Sequence, residues 1–181
     1  MDQFYDTGAD AAPLALALSR TGAELSGGGR RTDAYYRPPT CTAAPRDLTE
    51  WLAIRYEPLP VLCHVRWLPG QPYEIAETTV DSGRAARDFL TWLGASHVRD
   101  ITVRYEEWTA LGGDITVTLE HVDDRWTTKL TAPSLLRPPP AATFARAEQC
   151  LGDPLGPRLA APRRITDFLP AGSPERAKGS T

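Results

Sequence analysis

Arginine, glutamate, histidine and lysine recur in this chain two residues apart within apolar surroundings, and these are the groups that could do chemistry. Arg55 and Glu57 close the run Trp51–Glu57, and His64 and Arg66 stand together before Trp67. Arg104 and Glu106 lie between Ile101 and Trp108, Glu120 follows Thr116 and Thr118, and Lys129 sits between Thr127 and Thr131. Arginine offers a planar fork to a carboxylate or phosphate, and lysine offers a point charge. His64 is the best general acid or base by residue type, because an ordinary imidazole titrates near neutrality. Glu106 and Glu120, each near basic neighbours, are carboxylate bases or simple partners of arginine. Glu77, or Glu74, adds a further carboxylate. Such a set suits binding of an anionic or polar small molecule and proton transfer to or from it.

Strands must position these groups, because side chains along a strand point alternately to opposite faces. Leu52, Ile54 and Tyr56 alternate with Trp51, Ala53, Arg55 and Glu57; Cys63, Val65 and Trp67 alternate with His64 and Arg66. Ile101, Val103 and Tyr105 alternate with Thr102, Arg104 and Glu106, and Ile115, Val117 and Leu119 with Thr116, Thr118 and Glu120. Trp126, Thr128 and Leu130 alternate with Thr127 and Lys129. A plain sheet with one wet face has this pattern. The repeated choice of Arg, Glu, His, Lys and Thr favours a polar face turned inward, in an antiparallel, closed or nearly closed barrel with flanking helices, an α+β fold.

The remaining segments frame that barrel. Met1–Asp10 reads as an opening strand or a loose end. Helices are expected over Ala11–Thr21, Ser82–Gly94 and Ala141–Leu151, the second with Ala85, Phe89 and Leu93 as its apolar recurrence. Ser26–Arg31 reads as a flexible glycine-rich loop, Thr32–Tyr36 as a short strand, and Tyr73–Val80 as a strand in which Glu74 and Glu77 take opposite faces. Gly112-Gly113-Asp114 signals a hairpin and Asp123-Asp124 a solvated turn. Ile165–Leu169 should dock, residues 1–170 form one domain, and residues 171–181 form a disordered tail.

Composition narrows the classes. A formal net charge of −3 proposes neither nucleic acid nor a membrane surface as partner. No run approaches a membrane span and no basic-then-apolar leader is seen, so a cytoplasmic protein is expected. Cys41, Cys63 and Cys150 are widely spaced, which suits reduced structural thiols rather than a metal site. Eighteen arginines against two lysines, with abundant Ala, Pro and Gly, suggest a GC-rich bacterial genome. His97 reads as a solvated turn residue and His121 as a packed one. A homodimer is compatible with all of this.

In this order the segments resemble the CYTH superfamily, the triphosphate tunnel metalloenzymes, and within it the branch similar to class IV adenylate cyclases. Thr32-Asp33-Ala34-Tyr35-Tyr36 is similar to the family's D-x-Y-F segment, Leu52-Ala53-Ile54-Arg55 to L-R-I-R, and Asp114–Val122 to V-x-L-D-x-V. Trp92-Leu93-Gly94-Ala95 resembles the helix end before a basic strand, and Ile165–Leu169 the closing S-Y-x-x-L-L. The resemblance implies a β-tunnel that binds nucleotide or polyphosphate. It also implies divalent ions held by an opening E-x-E-x-K and a late E-x-E. Here those positions read Asp2-Gln3-Phe4-Tyr5-Asp6 and Trp126–Leu130, the first Arg of L-R-I-R is Ala53, and the K-G-P lysine is missing. Arg55, Arg66, Glu77, Arg104, Glu120 and Lys129 are kept or substituted. Mg²⁺ needs hard oxygen ligands, so loss of these carboxylates removes most of the charge that would hold it. The expectation is a basic tunnel without a cofactor, in which Arg55, Glu57, Arg66, Glu77, Arg104 and Lys129 bind substrate. His64, Glu106 and Glu120 would then perform a cyclisation, elimination or isomerisation, in keeping with bacterial specialised metabolism. Two alternatives stand beside it: a non-catalytic nucleotide or polyphosphate binder, and an Mg²⁺- or Mn²⁺-dependent cyclase or triphosphatase with relocated carboxylates.

Overall fold

The computed structural model describes residues 2–42, 49–56, 59–66, 74–133 and 140–159. Glu57, Trp67, Ile165–Leu169 and the expected tail lie outside the described residues. Nine strands form one sheet: β1 Asp2–Gly8, β2 Glu24–Arg37, β3 Glu50–Tyr56, β4 Val61–Arg66, β5 Glu74–Thr79, β6 Ser96–Ala110, β7 Ile115–Val122, β8 Arg125–Thr131 and β9 Arg158–Leu159. Their order is β5-β4-β3-β2-β6-β7-β8-β1-β9, and every pairing is antiparallel. The sheet curls into a half-barrel, the α+β architecture expected from the alternation. Side chains from both ends of the strand order, Glu77 of β5 and Leu159 of β9, line one concave cavity.

Three helices cover parts of the convex face. Helices α1 (Ala12–Arg20) and α3 (Pro140–Leu151) lie over the half built from β1, β7 and β8. There Leu14, Leu18, Phe144 and Ala147 pack with Val117, Leu119 and Leu130. Helix α2 (Gly83–Trp92) covers β2 and β3, where Ala86 and Leu90 meet Ala34, Tyr36 and Ile54. Ser82 caps α2 by accepting the Ala85 N–H at 3.2 Å, as its residue type favours. The expected apolar recurrence of this helix is corrected: Gly83, Ala86 and Leu90 are buried, whereas Phe89 and Leu93 are exposed.

One open reading is settled and one changes. Met1–Asp10 holds a true strand, β1. Ser26–Arg31 is not a loop, because β2 runs through the glycines and pairs with β6 from Glu24 to Arg37. At Gly28 a Cβ would stand 3.1 Å from the Tyr105 carbonyl oxygen, so glycine suits this close approach of two backbones. Continuing β2 back to Arg31 places that side chain in phase with Asp33 and Tyr35.

Candidate functional site

The concave side of the half-barrel encloses a cavity of about 380 Å³. Its polar lining comes from Arg31 and Asp33 on β2, Arg55 on β3, Glu77 on β5, Glu120 on β7, Lys129 on β8 and Asp2 on β1. Arg31 is the hub. Its Nε donates to Asp33 Oδ1 at 3.1 Å, and its Nη2 donates to Glu120 Oε1 at 2.6 Å. Both Arg31 and Asp33 are buried, at 7% and 3% exposure, so this bridge stands in a weakly screened environment. The guanidinium also lies over the Tyr105 ring, 5.2 Å from its centroid.

Arg55 extends the network less tightly. Its Nε lies 3.9 Å from Asp33 Oδ1 and its Nη1 lies 3.5 Å from Glu77 Oε1. Those are ion-pair distances, and the buried Nε has no hydrogen-bond partner among the described residues. Cys63 donates to Glu77 from the same side, at 3.6 Å. Lys129 feels the charge of Glu120 but makes no ion pair within 4 Å among the described residues.

This wiring splits the two inner carboxyls. Burial pushes the Asp33 carboxyl above its ordinary value, and attraction to Arg31 and Arg55 only partly offsets the shift. Burial would raise Glu120 too, yet Arg31 and Lys129 together hold it below its ordinary value. The phenol of Tyr35, further along the same face of β2, is raised by burial and by the charge of Asp33. The two carboxyls therefore depart from their ordinary values in opposite directions.

Several sequence expectations need correction here. Arg55, Glu77, Glu120 and Lys129 do meet in the cavity. His64 and Arg66 do not: on β4 it is Cys63 and Val65 that face inward, paired with Ala53 and Trp51. His64 instead faces Glu50 across the convex surface, with its Nε2 2.7 Å from Glu50 Oε1. Arg104 and Glu106 are also convex, because Ile101 and Val103 of β6 line the cavity. Arg104 stacks near Trp126 and lies 3.8 Å from Glu106. Their expected place inside the tunnel is withdrawn, and Glu57 falls outside the described residues. Sequence reasoning does not reach Arg31, Asp33 or Tyr35 as site residues; Asp33 and Tyr35 enter it only within the motif Thr32–Tyr36. The alternation Arg31, Asp33, Tyr35 was the signal that could have found them.

The lining also departs from a basic, wholly polar tunnel. Among the described residues four acidic side chains face three basic ones. Much of the remaining wall is an apolar cluster of Trp51, Val65, Ile101, Val103 and Val122, with Ile75 beside it.

No family model matches the chain, and no curated protein matches it in sequence. Solved structures do match in fold. A candidate adenylate cyclase from Bacillus halodurans aligns with a TM-score of 0.62 at 12% identity, over 92% of this chain and 96% of that one. HpAC1 from Hippeastrum, a candidate adenylyl cyclase described as having a dominant triphosphatase activity, aligns with a TM-score of 0.61 at 11% identity, over 93% and 94%. The chain has the CYTH fold. A chain of the Schizosaccharomyces pombe Mediator head module also aligns, with a TM-score of 0.55 at 14% identity over 83% and 94%. Similar folds thus occur both in proteins described as cyclases and in a chain of a multiprotein assembly.

The divalent ions associated with triphosphate tunnels can be tested against this donor set. Mg²⁺ takes oxygen ligands at about 2.0–2.1 Å in near-octahedral array, usually from carboxylates and phosphates. Asp33 and Glu120 already accept from Arg31, and Glu77 lies between Arg55 and Cys63. Among the described residues no three His, Cys, Asp or Glu side chains converge in a way that could hold a metal. Among the described residues, the cavity carboxylates Asp33, Glu77 and Glu120 are engaged by Arg31, Arg55 and Cys63 and do not gather as a ligand set for a divalent pair.

Proposed function

We propose that this chain is a small-molecule enzyme that takes a polar or anionic substrate into the half-barrel and moves protons on it without a divalent ion. The observation that carries this reading is the bridge of Arg31 between Asp33 and Glu120 inside the cavity. In its acid form Asp33 donates a proton to a leaving or carbonyl oxygen, while ionised Glu120 accepts one from carbon or a hydroxyl. Arg31 holds both at fixed positions and spreads the charge that builds up as the proton moves. Arg55 and Lys129 orient the substrate's negative end. Cyclisation, elimination and isomerisation need only these elements. A role in bacterial specialised metabolism is consistent with a reshaped site on an old scaffold, and composition is its only other support.

The test combines turnover and titration on the full chain. ATP and tripolyphosphate should give no product that depends on Mg²⁺ or Mn²⁺; metal-dependent product from either would refute the reading. Carboxyl NMR, assigned with Asp33→Asn and Glu120→Gln, should place Asp33 above 3.8 and Glu120 below 4.5, their ordinary values. Two carboxyls titrating together at those values would remove the acid–base pair.

A further inference from the structure

On β3, β4 and β5 the cavity lining changes from apolar to polar along the strands. Ile75, Val65 and Trp51 are direct cross-strand partners on β5, β4 and β3, and they form one apolar row. The next inward positions are Glu77, Cys63 and Ala53, also direct partners. Arg55 follows on β3, opposite Asp33 of β2. Ile101 and Val103 of β6 stand opposite Asp33 and Arg31 in the register, and with Val122 they join Trp51 and Val65 in one buried cluster, so apolar surface also borders the charged level. From Trp51 to Arg55 is four residues of extended chain, about 13 Å. The small side chain of Ala53 lies between them and leaves that face of β3 low.

The charged groups are not equally available to a ligand. Arg31 is committed to two carboxylates at hydrogen-bonding distance. Arg55 and Lys129 are not: one has only ion pairs at 3.5 Å or longer, and the other has none within 4 Å among the described residues. A buried donor without a partner is unfavourable, and an acceptor on a ligand would relieve it. Two available cations set against four lining carboxylates suit a single negative charge. A triphosphate, with several charges packed together, would meet more repulsion than attraction.

We infer that the ligand is an amphiphilic organic acid, one carboxylate head on Arg55 and Lys129 and an apolar body along Trp51, Val65, Ile101 and Val103. This inference builds on the small-molecule reading above and names its substrate class. The 380 Å³ cavity holds the volume of about a dozen liquid waters, at roughly 30 Å³ each, which matches a body of medium length. The head is a carboxylate rather than a phosphate monoester, because each added charge meets the acidic side of the lining.

Straight-chain acids provide the test, using butanoate, hexanoate and octanoate with tripolyphosphate as comparison, by calorimetry on the full chain. Affinity should climb about fourfold per methylene, the factor equivalent to about 0.8 kcal/mol, and tripolyphosphate should bind more weakly than octanoate. Arg55→Gln should weaken octanoate at least tenfold but leave octanol binding unchanged. Val65→Ala should flatten the dependence on chain length. Because Arg55 is partly buried, circular dichroism confirms that its variant is folded, and Lys129→Met supplies a second head-group variant. Tripolyphosphate binding that exceeds octanoate and depends on Arg55 would overturn the amphiphilic ligand and leave an anion-binding cavity standing. Equal affinity across the chain lengths would do the same. If none of these anions binds, the amphiphilic-acid inference falls, while the small-molecule reading is judged separately by its own turnover and titration tests.

Discussion

Removing the charge of Arg31 should expose how the interior network is stabilised. In Arg31→Met the aliphatic stem and its packing against Tyr105 are largely kept, while two buried carboxyls lose their shared partner. Breaking a buried ion pair by deleting one side costs about 3–5 kcal/mol, because the orphaned charge stays desolvated. The carboxyls can escape by taking up protons, which caps the cost. Holding a carboxyl of ordinary pKa near 4 neutral at pH 7 costs about 4 kcal/mol, at about 1.4 kcal/mol per pH unit. The same escape costs only about 1.4 kcal/mol at pH 5. Urea unfolding of Arg31→Met should therefore show a loss of about 3–5 kcal/mol at pH 7 that shrinks to about 1–2 kcal/mol at pH 5. A chain of this size would lose roughly 10 °C of melting temperature at pH 7. Adding Asp33→Asn and Glu120→Gln should restore much of the loss. A penalty of equal size at both pH values would show that Arg31 acts through packing, and the electrostatic account would be wrong.

Three further expectations follow from the same region. The raised pKa of Asp33 means that the folded chain keeps this proton longer than the unfolded chain does. Its stabilisation is complete below 3.8 and is lost as pH rises through the folded value; Asp33→Asn should abolish that decline. Glu120 has the opposite sign, contributing stability above 4.5 that is lost as pH falls through its lowered value. Urea midpoints between pH 3 and 7 should show Glu120→Gln without that acid-side fall; a curve parallel to wild type would contradict the assignment. Cys63 should be the slow thiol. Burial, with Glu77 adding to it against the pull of Arg55, pushes Cys63 up to about 11, whereas Cys150 is exposed. Thiol titration at pH 8 should label Cys150 first, and rapid labelling of Cys63 would show the cavity wall to be open there.

Alternation states which residues share a face, and it does so well here, but it does not state which face is concave. On β7 and β8 the polar set, Glu120 and Lys129, lies inside because α1 and α3 bury Val117, Leu119 and Leu130 on the outside. Applying the same rule to β4 and β6 placed His64, Arg66, Arg104 and Glu106 inside. On those strands Val65, Ile101 and Val103 turn inward and pack with Trp51 and Val122 in the cavity wall. The polarity of the concave surface therefore changes around the sheet. What decides it at each strand is which side chains the helices take on the convex side and which the apolar cluster takes on the concave side, a fact of tertiary packing that strand sequence does not contain. β3 illustrates the point, since α2 covers Ile54 and thereby sends Arg55 inward.

The hub was hidden for a different reason. Three consecutive glycines usually mark a turn, and here they sit within a fourteen-residue strand whose partner backbone approaches closely at Gly28. Once β2 is known to continue, Arg31 falls in phase with Asp33, and the register places Arg55 opposite Asp33. Glu120 of β7 is brought to Arg31 across the curl, by a pairing of β6 with both strands. Nothing in local spacing connects residues 31, 55 and 120, so curvature assembles the network and sequence only supplies its parts. The same curvature explains the mixed lining: it brings Arg31 to two carboxylates and sets Trp51, Val65 and Val103 in the same wall, which suits one charge with an apolar body attached.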